Sequence, residues 1–230
     1  MGLYGIDAPG GFADYVTIPG DRVFRIPDAL ALDVAALIEP VAVAVHAVRL
    51  PSLKSGDTVC VLGGGPIGLL TALIARQVRP EKIFICEKEP FRIQIARDFG
   101  FEVIDAGQDD PEAVIIAATA GKGVDLVFEV AGAPATILLS TRICCVHGEI
   151  VQVAMPKAPR EVDIVGLTFK ELTIKGIRVY VPYDFAKAIH FVANSGIDLS
   201  PLRSAPYPLA EADSAFAKAA EAKDVMRVLS

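Results

Sequence analysis

Two rhythms of apolar residues alternate along the middle of this chain. Short, near-continuous apolar runs recur at 58–62, 82–86, 101–105, 124–130, 149–154 and 172–180. Runs of that length and composition are those of strands covered on both faces. Between them the apolar positions return every three or four residues, as on one face of a helix. Leu69, Leu70, Leu73, Ile74 and Val78 form one such series, and Phe91, Ile95 and Phe99 another. Punctuation falls where the two rhythms meet. Pro90 suits a first helical position and Gly100 a helix stop, Asp110-Pro111 reads as a cap and first residue, and Gly121 closes that helix. Further helices are expected at 135–142 and at 184–194, before Gly196. Six strands alternating with helices predict an α/β fold: a doubly wound parallel sheet with helices on both faces.

The flanks follow another pattern. Gly10-Gly11-Phe12-Ala13-Asp14-Tyr15-Val16-Thr17-Ile18-Pro19 reads as a strand, and residues 31–48 as one apolar helical region. Beyond residue 196 come a proline-rich crossover, a helix at about 210–222 and a last strand at 225–229. Neither flank is long enough for a core of its own. The expected organisation is therefore a doubly wound domain at 52–196, interrupting a second unit contributed by 1–51 and 197–230.

The chemistry concentrates at the first strand-to-helix corner. Thr58-Val59-Cys60-Val61-Leu62 runs directly into Gly63-Gly64-Gly65-Pro66-Ile67-Gly68, a Gly-x-Gly-x-x-Gly turn that opens a helix. Gly63 permits the tight turn, Gly65 lets the backbone approach a pyrophosphate, and Gly68 lets helix and strand pack closely. The helix N-terminus adds unpaired N–H groups directed at an anion. The second strand ends at Glu87, nineteen positions after Gly68. An acid at that spacing accepts hydrogen bonds from an adenosine ribose and repels a 2′-phosphate, which predicts NAD rather than NADP. Arg92 lies close in sequence, expected along the adenine or paired with an acid.

Composition narrows the class. With 53% hydrophobic and 22% charged residues in 230, the chain can build a substantial core and is not of the disordered type. No apolar run approaches the roughly 20 residues of a membrane span. The first residues lack a basic stretch followed by an apolar one, so a cytoplasmic protein is expected. A net charge of −6 with scattered Lys and Arg excludes a nucleic-acid-binding surface. The four cysteines, Cys60, Cys86, Cys144 and Cys145, have no Cys-x-x-Cys spacing and read as buried reduced thiols.

Several stretches together resemble the medium-chain dehydrogenase/reductase superfamily, and within it the zinc-dependent butanediol, polyol and threonine dehydrogenase branch. They are Gly10-Gly11-Phe12-Ala13-Asp14-Tyr15, Ala36-Leu37-Ile38-Glu39-Pro40-Val41-Ala42-Val43-Ala44-Val45-His46-Ala47, the glycine turn, Glu129-Val130-Ala131-Gly132, and Leu172-Thr173-Ile174-Lys175-Gly176. The resemblance implies hydride exchange between NAD and a secondary alcohol or its ketone, with zinc polarising the substrate oxygen. It implies that Glu39 belongs to the metal's inner shell and that Val130, Ala131 and Gly132 border the pyrophosphate and nicotinamide ribose. It places Val153, Ala154 and Met155 at the end of the fifth strand, their backbone holding the nicotinamide, and Tyr180 on the substrate side at the end of the sixth. It also implies a homodimer or larger species, the sixth strand pairing with its mate.

The resemblance begins well inside the family's pattern. The Cys and Gly-His-Glu ligands that relatives carry in the upstream GroES-like domain have no counterpart here, so residues 1–51 and 197–230 are expected to be remnants of that domain. A catalytic zinc needs about three protein ligands, and Glu39 is the one candidate. His46 shares a helix face with Glu39 and reads as a core or interface histidine; His147, just before a strand, and His190 read as ordinary. Weak or no turnover by this chain alone is expected. Two other readings stay open: a non-catalytic dinucleotide-binding protein, and a zinc-independent enzyme like the quinone reductases. The Glu39-Pro40 pair speaks against the latter.

Overall fold

In the computed structural model, residues 4–203 and 207–220 are described. Six strands form one parallel sheet: β1 (Thr58–Leu62), β2 (Lys82–Glu87), β3 (Glu102–Asp105), β4 (Val124–Glu129), β5 (Cys144–Gln152) and β6 (Thr173–Gly176). Their order is β3-β2-β1-β4-β5-β6, with β1 paired to β2 on one side and to β4 on the other. The chain winds outward in one direction from β1 and then in the other from β4. The order therefore reverses between them, and ligands of such sheets bind beyond the carboxyl ends at that reversal.

Alternate residues of each strand feed two cores. Val59, Val61, Ile83, Ile85, Leu126, Phe128 and Val151 point to one face, where α2 (Ile38–Arg49), α3 (Pro66–Arg76), α4 (Pro90–Asp98) and α8 (Pro182–Asn194) cover them. Cys60, Leu62, Phe84, Cys86, Val127 and Ile150 point to the other, beneath α5 (Pro111–Ala118) and α6 (Pro134–Ile143). Both faces being dry explains why the strands carry unbroken apolar runs. All four cysteines are buried and free. No helix among the described residues is long and apolar enough to cross a membrane.

Several expectations are corrected. Residues 10–19 form no strand: among the described residues no other strand pairs with them, Tyr15 is exposed, and Phe12 makes an edge-on ring contact with Phe216 rather than a place in a sheet. The helical region at 31–48 is two helices, α1 (Leu32–Ala35) and α2. Pro40 is the reason, since its ring cannot pass within a helix behind residue 36 but is tolerated in the first turn of a new one. β5 starts at Cys144, five residues early, and its register against β4 shifts between Val124 and Leu126. His147 consequently lies inside β5 with φ +61°, its N–H donating to the Lys170 carbonyl (2.7 Å).

β6 ends at Gly176, so Tyr180 lies four residues beyond it, past Val179 at φ +57°, a conformation that stops extension. α7 (Ile164–Phe169) was not foreseen, because six residues are too few to show a period; Asp163 caps it by accepting from Gly166 N–H (2.8 Å). In the carboxyl-terminal flank, α9 (Ala212–Ala220) falls within the expected helix. The strand expected at 225–229 lies outside the described residues.

Candidate functional site: a nucleotide-binding corner

The glycine turn sits at the sheet's reversal, between the carboxyl ends of β1, β2 and β4. Gly63 has φ +109° and donates its N–H to the Cys86 carbonyl (2.9 Å), while Val130 N–H reaches across to the Leu62 carbonyl (2.9 Å). A Cβ on Gly68 would stand 1.8 Å from the Gly63 carbonyl oxygen, so helix and strand meet there only because the side chain is missing. Gly65 caps α3 and Pro66 takes its first position, leaving the first-turn amides of the helix facing the opening. These features fit a diphosphate: bare backbone and a helix N-terminus.

Glu87 closes one side of this corner. Its carboxylate is almost buried, with Oε2 accepting from Gly64 N–H (2.9 Å) and Oε1 from Lys88 N–H (2.7 Å) and Glu89 N–H (3.0 Å). Arg92 Nη1 stands 3.7 Å from Glu87 Oε2, and the same nitrogen is 3.7 Å from where a Gly65 Cβ would be. Of the two placements expected for Arg92, the structure shows pairing with the acid. Glu87 thus fixes the glycine turn through its bond to Gly64.

The other side is the turn after β4. Ala131 packs against the glycine corner, its amide nitrogen 3.1 Å from a Cβ built on Gly63. The amides of Val153 and Ala154, just past β5, both donate to the Glu129 carbonyl (2.9 and 3.0 Å). Those two N–H groups are therefore committed to the end of β4. Met155 follows with 87% of its surface exposed.

Glu39 and Tyr180, 141 positions apart in the sequence, are brought close enough to shift each other's ionisation. Glu39 has solvent on one side, yet the protein around its carboxyl raises its pKa, and the Tyr180 hydrogen bond offsets part of that rise. Burial, followed by the charge and hydrogen bond of Glu39, pushes Tyr180 up to about 12. His46 is tied elsewhere. Its Nδ1 is 2.7 Å from Oδ2 of Asp184, a fully buried acid that also accepts from Arg49 Nε (2.6 Å) and Val181 N–H (3.1 Å). Burial alone would raise Asp184, but these bonds, led by Arg49, hold it below the usual carboxylate range. His190 is exposed and bonded to Asn194.

Among the described residues, no three His, Cys, Asp or Glu side chains gather as a metal site would require. Glu39, with a tyrosine for company, does not by itself fit a zinc ion.

The profile described as zinc-binding dehydrogenase matches residues 66–194, more than half of the chain. The chain belongs to that family. Its resemblance to the butanediol, polyol and threonine dehydrogenases is borne out by its relatives. It is 38% identical over 213 residues to 2-dehydro-3-deoxy-L-galactonate 5-dehydrogenase of Pseudoalteromonas atlantica, a match covering 93% of this chain and 62% of that one. The crystal structure of 2R,3R-butanediol dehydrogenase from Bacillus subtilis superposes with a TM-score of 0.90 at 31% identity, over 99% of this chain and 66% of that one. A zinc-binding dehydrogenase from Sinorhizobium meliloti, solved bound to NADP, superposes at 0.85 and 31% identity, over 92% and 63%. The chain thus spans a little under two thirds of the length of these relatives.

Two groups escaped the reading of the sequence. Glu129 was visible as part of a family stretch, and its position directly after the apolar run Leu126-Val127-Phe128 was the available signal. Asp184 looked like the start of a helix; nothing local marks it as the partner of residues 135 and 138 positions away.

Proposed function

We propose that this chain is the NAD(H)-binding portion of an alcohol or polyol dehydrogenase, exchanging a hydride with a secondary alcohol, a diol or the matching ketone. The observation that supports it best is the corner where Gly63, Gly65 and Gly68 bare the backbone between Glu87 and the 130–132 turn. Bound there, the nicotinamide coenzyme would supply the hydride acceptor or donor. Gly65, Pro66, Ile67 and the first turn of α3 would hold its diphosphate, and Glu87 its adenosine ribose. Val130, Ala131 and Gly132 would line the nicotinamide ribose, with the backbone of Val153, Ala154 and Met155 beside the ring.

Glu87 favours NAD, since a 2′-phosphate would face its carboxylate. Domains at 52–196 and at the two flanks together follow from the same reading. Glu39 and Tyr180 stand as the substrate-side pair, and no catalytic step through zinc follows from Glu39 alone. That observation favours a second reading, in which the chain binds dinucleotide without turning over substrate.

Titration with NADH and NADPH, followed by coenzyme fluorescence, tests the first point, and an assay with NAD, 2,3-butanediol and zinc tests the second. Saturable binding, tighter for NADH, is expected. Binding of neither coenzyme would remove the proposal, and binding without turnover would select the second reading.

A further inference from the structure

Glu129 is wholly buried at the carboxyl end of β4, a costly place for an acid unless every oxygen is satisfied. Each of its partners is a donor. Gly132 N–H is shared between Oε1 (2.8 Å) and Oε2 (3.1 Å), Gln152 Nε2 donates to Oε2 (2.6 Å), and the single proton of the Thr136 hydroxyl lies between Oε1 (2.7 Å) and the more distant Ala133 carbonyl (3.0 Å). The Gln152 amide cannot be reversed without loss, because the same nitrogen donates to the Ala154 carbonyl (2.9 Å). Glu129 and Gln152 are also paired in register across β4 and β5.

One side chain therefore joins three pieces of backbone: the 130–132 turn through Gly132, the start of α6 through Thr136, and the end of β5 through Gln152. The turn it holds lies against the glycine corner, with Ala131 in contact distance of Gly63. The Glu129 carboxylate is enclosed on all sides and acts through these partners.

We propose that Glu129 is a positioning residue for the nicotinamide half of the coenzyme site. Its acceptor-only carboxylate sets the 130–132 turn against Gly63, while Glu87 independently sets the adenosine half. This rests on the reading that the corner binds a dinucleotide. Glu129→Gln keeps size and shape but turns an NH2 group toward an existing donor, so the turn must shift.

The experiment compares AMP, which reaches only the adenosine half, with NADH, which reaches both. Binding of AMP is followed by NMR line shifts and of NADH by fluorescence, in the wild type, Glu129→Gln and Thr136→Val. In Glu129→Gln, NADH affinity is expected to fall about tenfold, as for a lost hydrogen bond to a charged group, with AMP affinity within about twofold of the wild type. Thr136→Val, which removes one donor and keeps the volume, is expected to move NADH in the same direction by less. A general loss of stability would weaken both ligands together and leave their ratio unchanged. That constant ratio, in Glu129→Gln or, should it not fold, in Thr136→Val, overturns the proposal. Wild-type chain that binds neither nucleotide overturns the functional reading and this inference with it. Wild type that binds both, with an unmoved ratio in the variants, overturns the inference alone.

Discussion

A carboxylate's neighbours decide its work here. Glu87, Glu129 and Glu39 differ chiefly in what donates to them: backbone amides for the first, an amide, a hydroxyl and a glutamine for the second, a phenol for the third. Glu87→Gln replaces an acceptor of three backbone amides by a group with one acceptor oxygen. NADH affinity is expected to fall about tenfold and discrimination against NADPH to relax, measured by paired fluorescence titrations. Tyr180 offers a second measurement. Glu39→Gln removes the charge that raises it, so its pKa should drop from about 12, remaining above the ordinary 10.0 because burial is the larger cause. Phenolate absorbance, with Tyr180→Phe subtracted to isolate one of five tyrosines, reads the shift. The place of Glu87 at the end of β2 was legible because it depends on spacing from Gly68 along one short βαβ stretch. Glu39 and Tyr180 were legible only through family likeness, since their meeting depends on how α2 and the segment after β6 come together.

At the level of strands and helices, the apolar pattern carried most of the information. Two-sided burial writes itself as continuous hydrophobic runs, and β1, β2 and β4 fall where those runs are strongest. What failed were the ends and edges. β6 is shorter than its apolar run because it is an edge strand interrupted at Val179, and β5 is longer because a register shift carries pairing across polar His147.

The strand ends away from the glycine corner are fastened separately. Asp125, at the start of β4, accepts from the N–H (2.8 Å) and hydroxyl (2.7 Å) of Thr58 at the start of β1, and Lys122 Nζ donates to it at 2.7 Å. Burial opposes ionisation, but the Lys122 and Thr58 bonds win and hold Asp125 at about 2. A folded pKa below the unfolded value stabilises the fold fully above about pH 4, and the gain is lost as pH falls toward 2. Asp125→Asn should therefore lower stability at neutral pH by on the order of 2 kcal/mol in urea melts. It should flatten the acid limb and leave NADH affinity unchanged.

Across the whole molecule, the exposed apolar side chains are unevenly placed. Ile164, Val165 and Phe169 of α7 are 62%, 66% and 83% exposed, and Ile174 of edge strand β6 is 40% exposed. An edge strand with open backbone groups beside apolar surface promotes association. Light scattering on the eluting protein is expected to give a dimer or larger species, and Ile174→Lys to shift it toward monomer.

The three-way contact of His46, Arg49 and Asp184 has a kinetic meaning. Its members are separated by 135 and 138 residues, with the entire six-stranded sheet encoded between them. Closing so long a loop costs entropy that is recovered only once the intervening strands have assembled. The bond between α2 and α8 is thus expected to latch after the rate-limiting step. Asp184→Ala, which takes the shared acceptor from half-buried His46 and exposed Arg49 at a cost of about 2 kcal/mol, should hasten unfolding in stopped-flow chevrons while refolding keeps its pace.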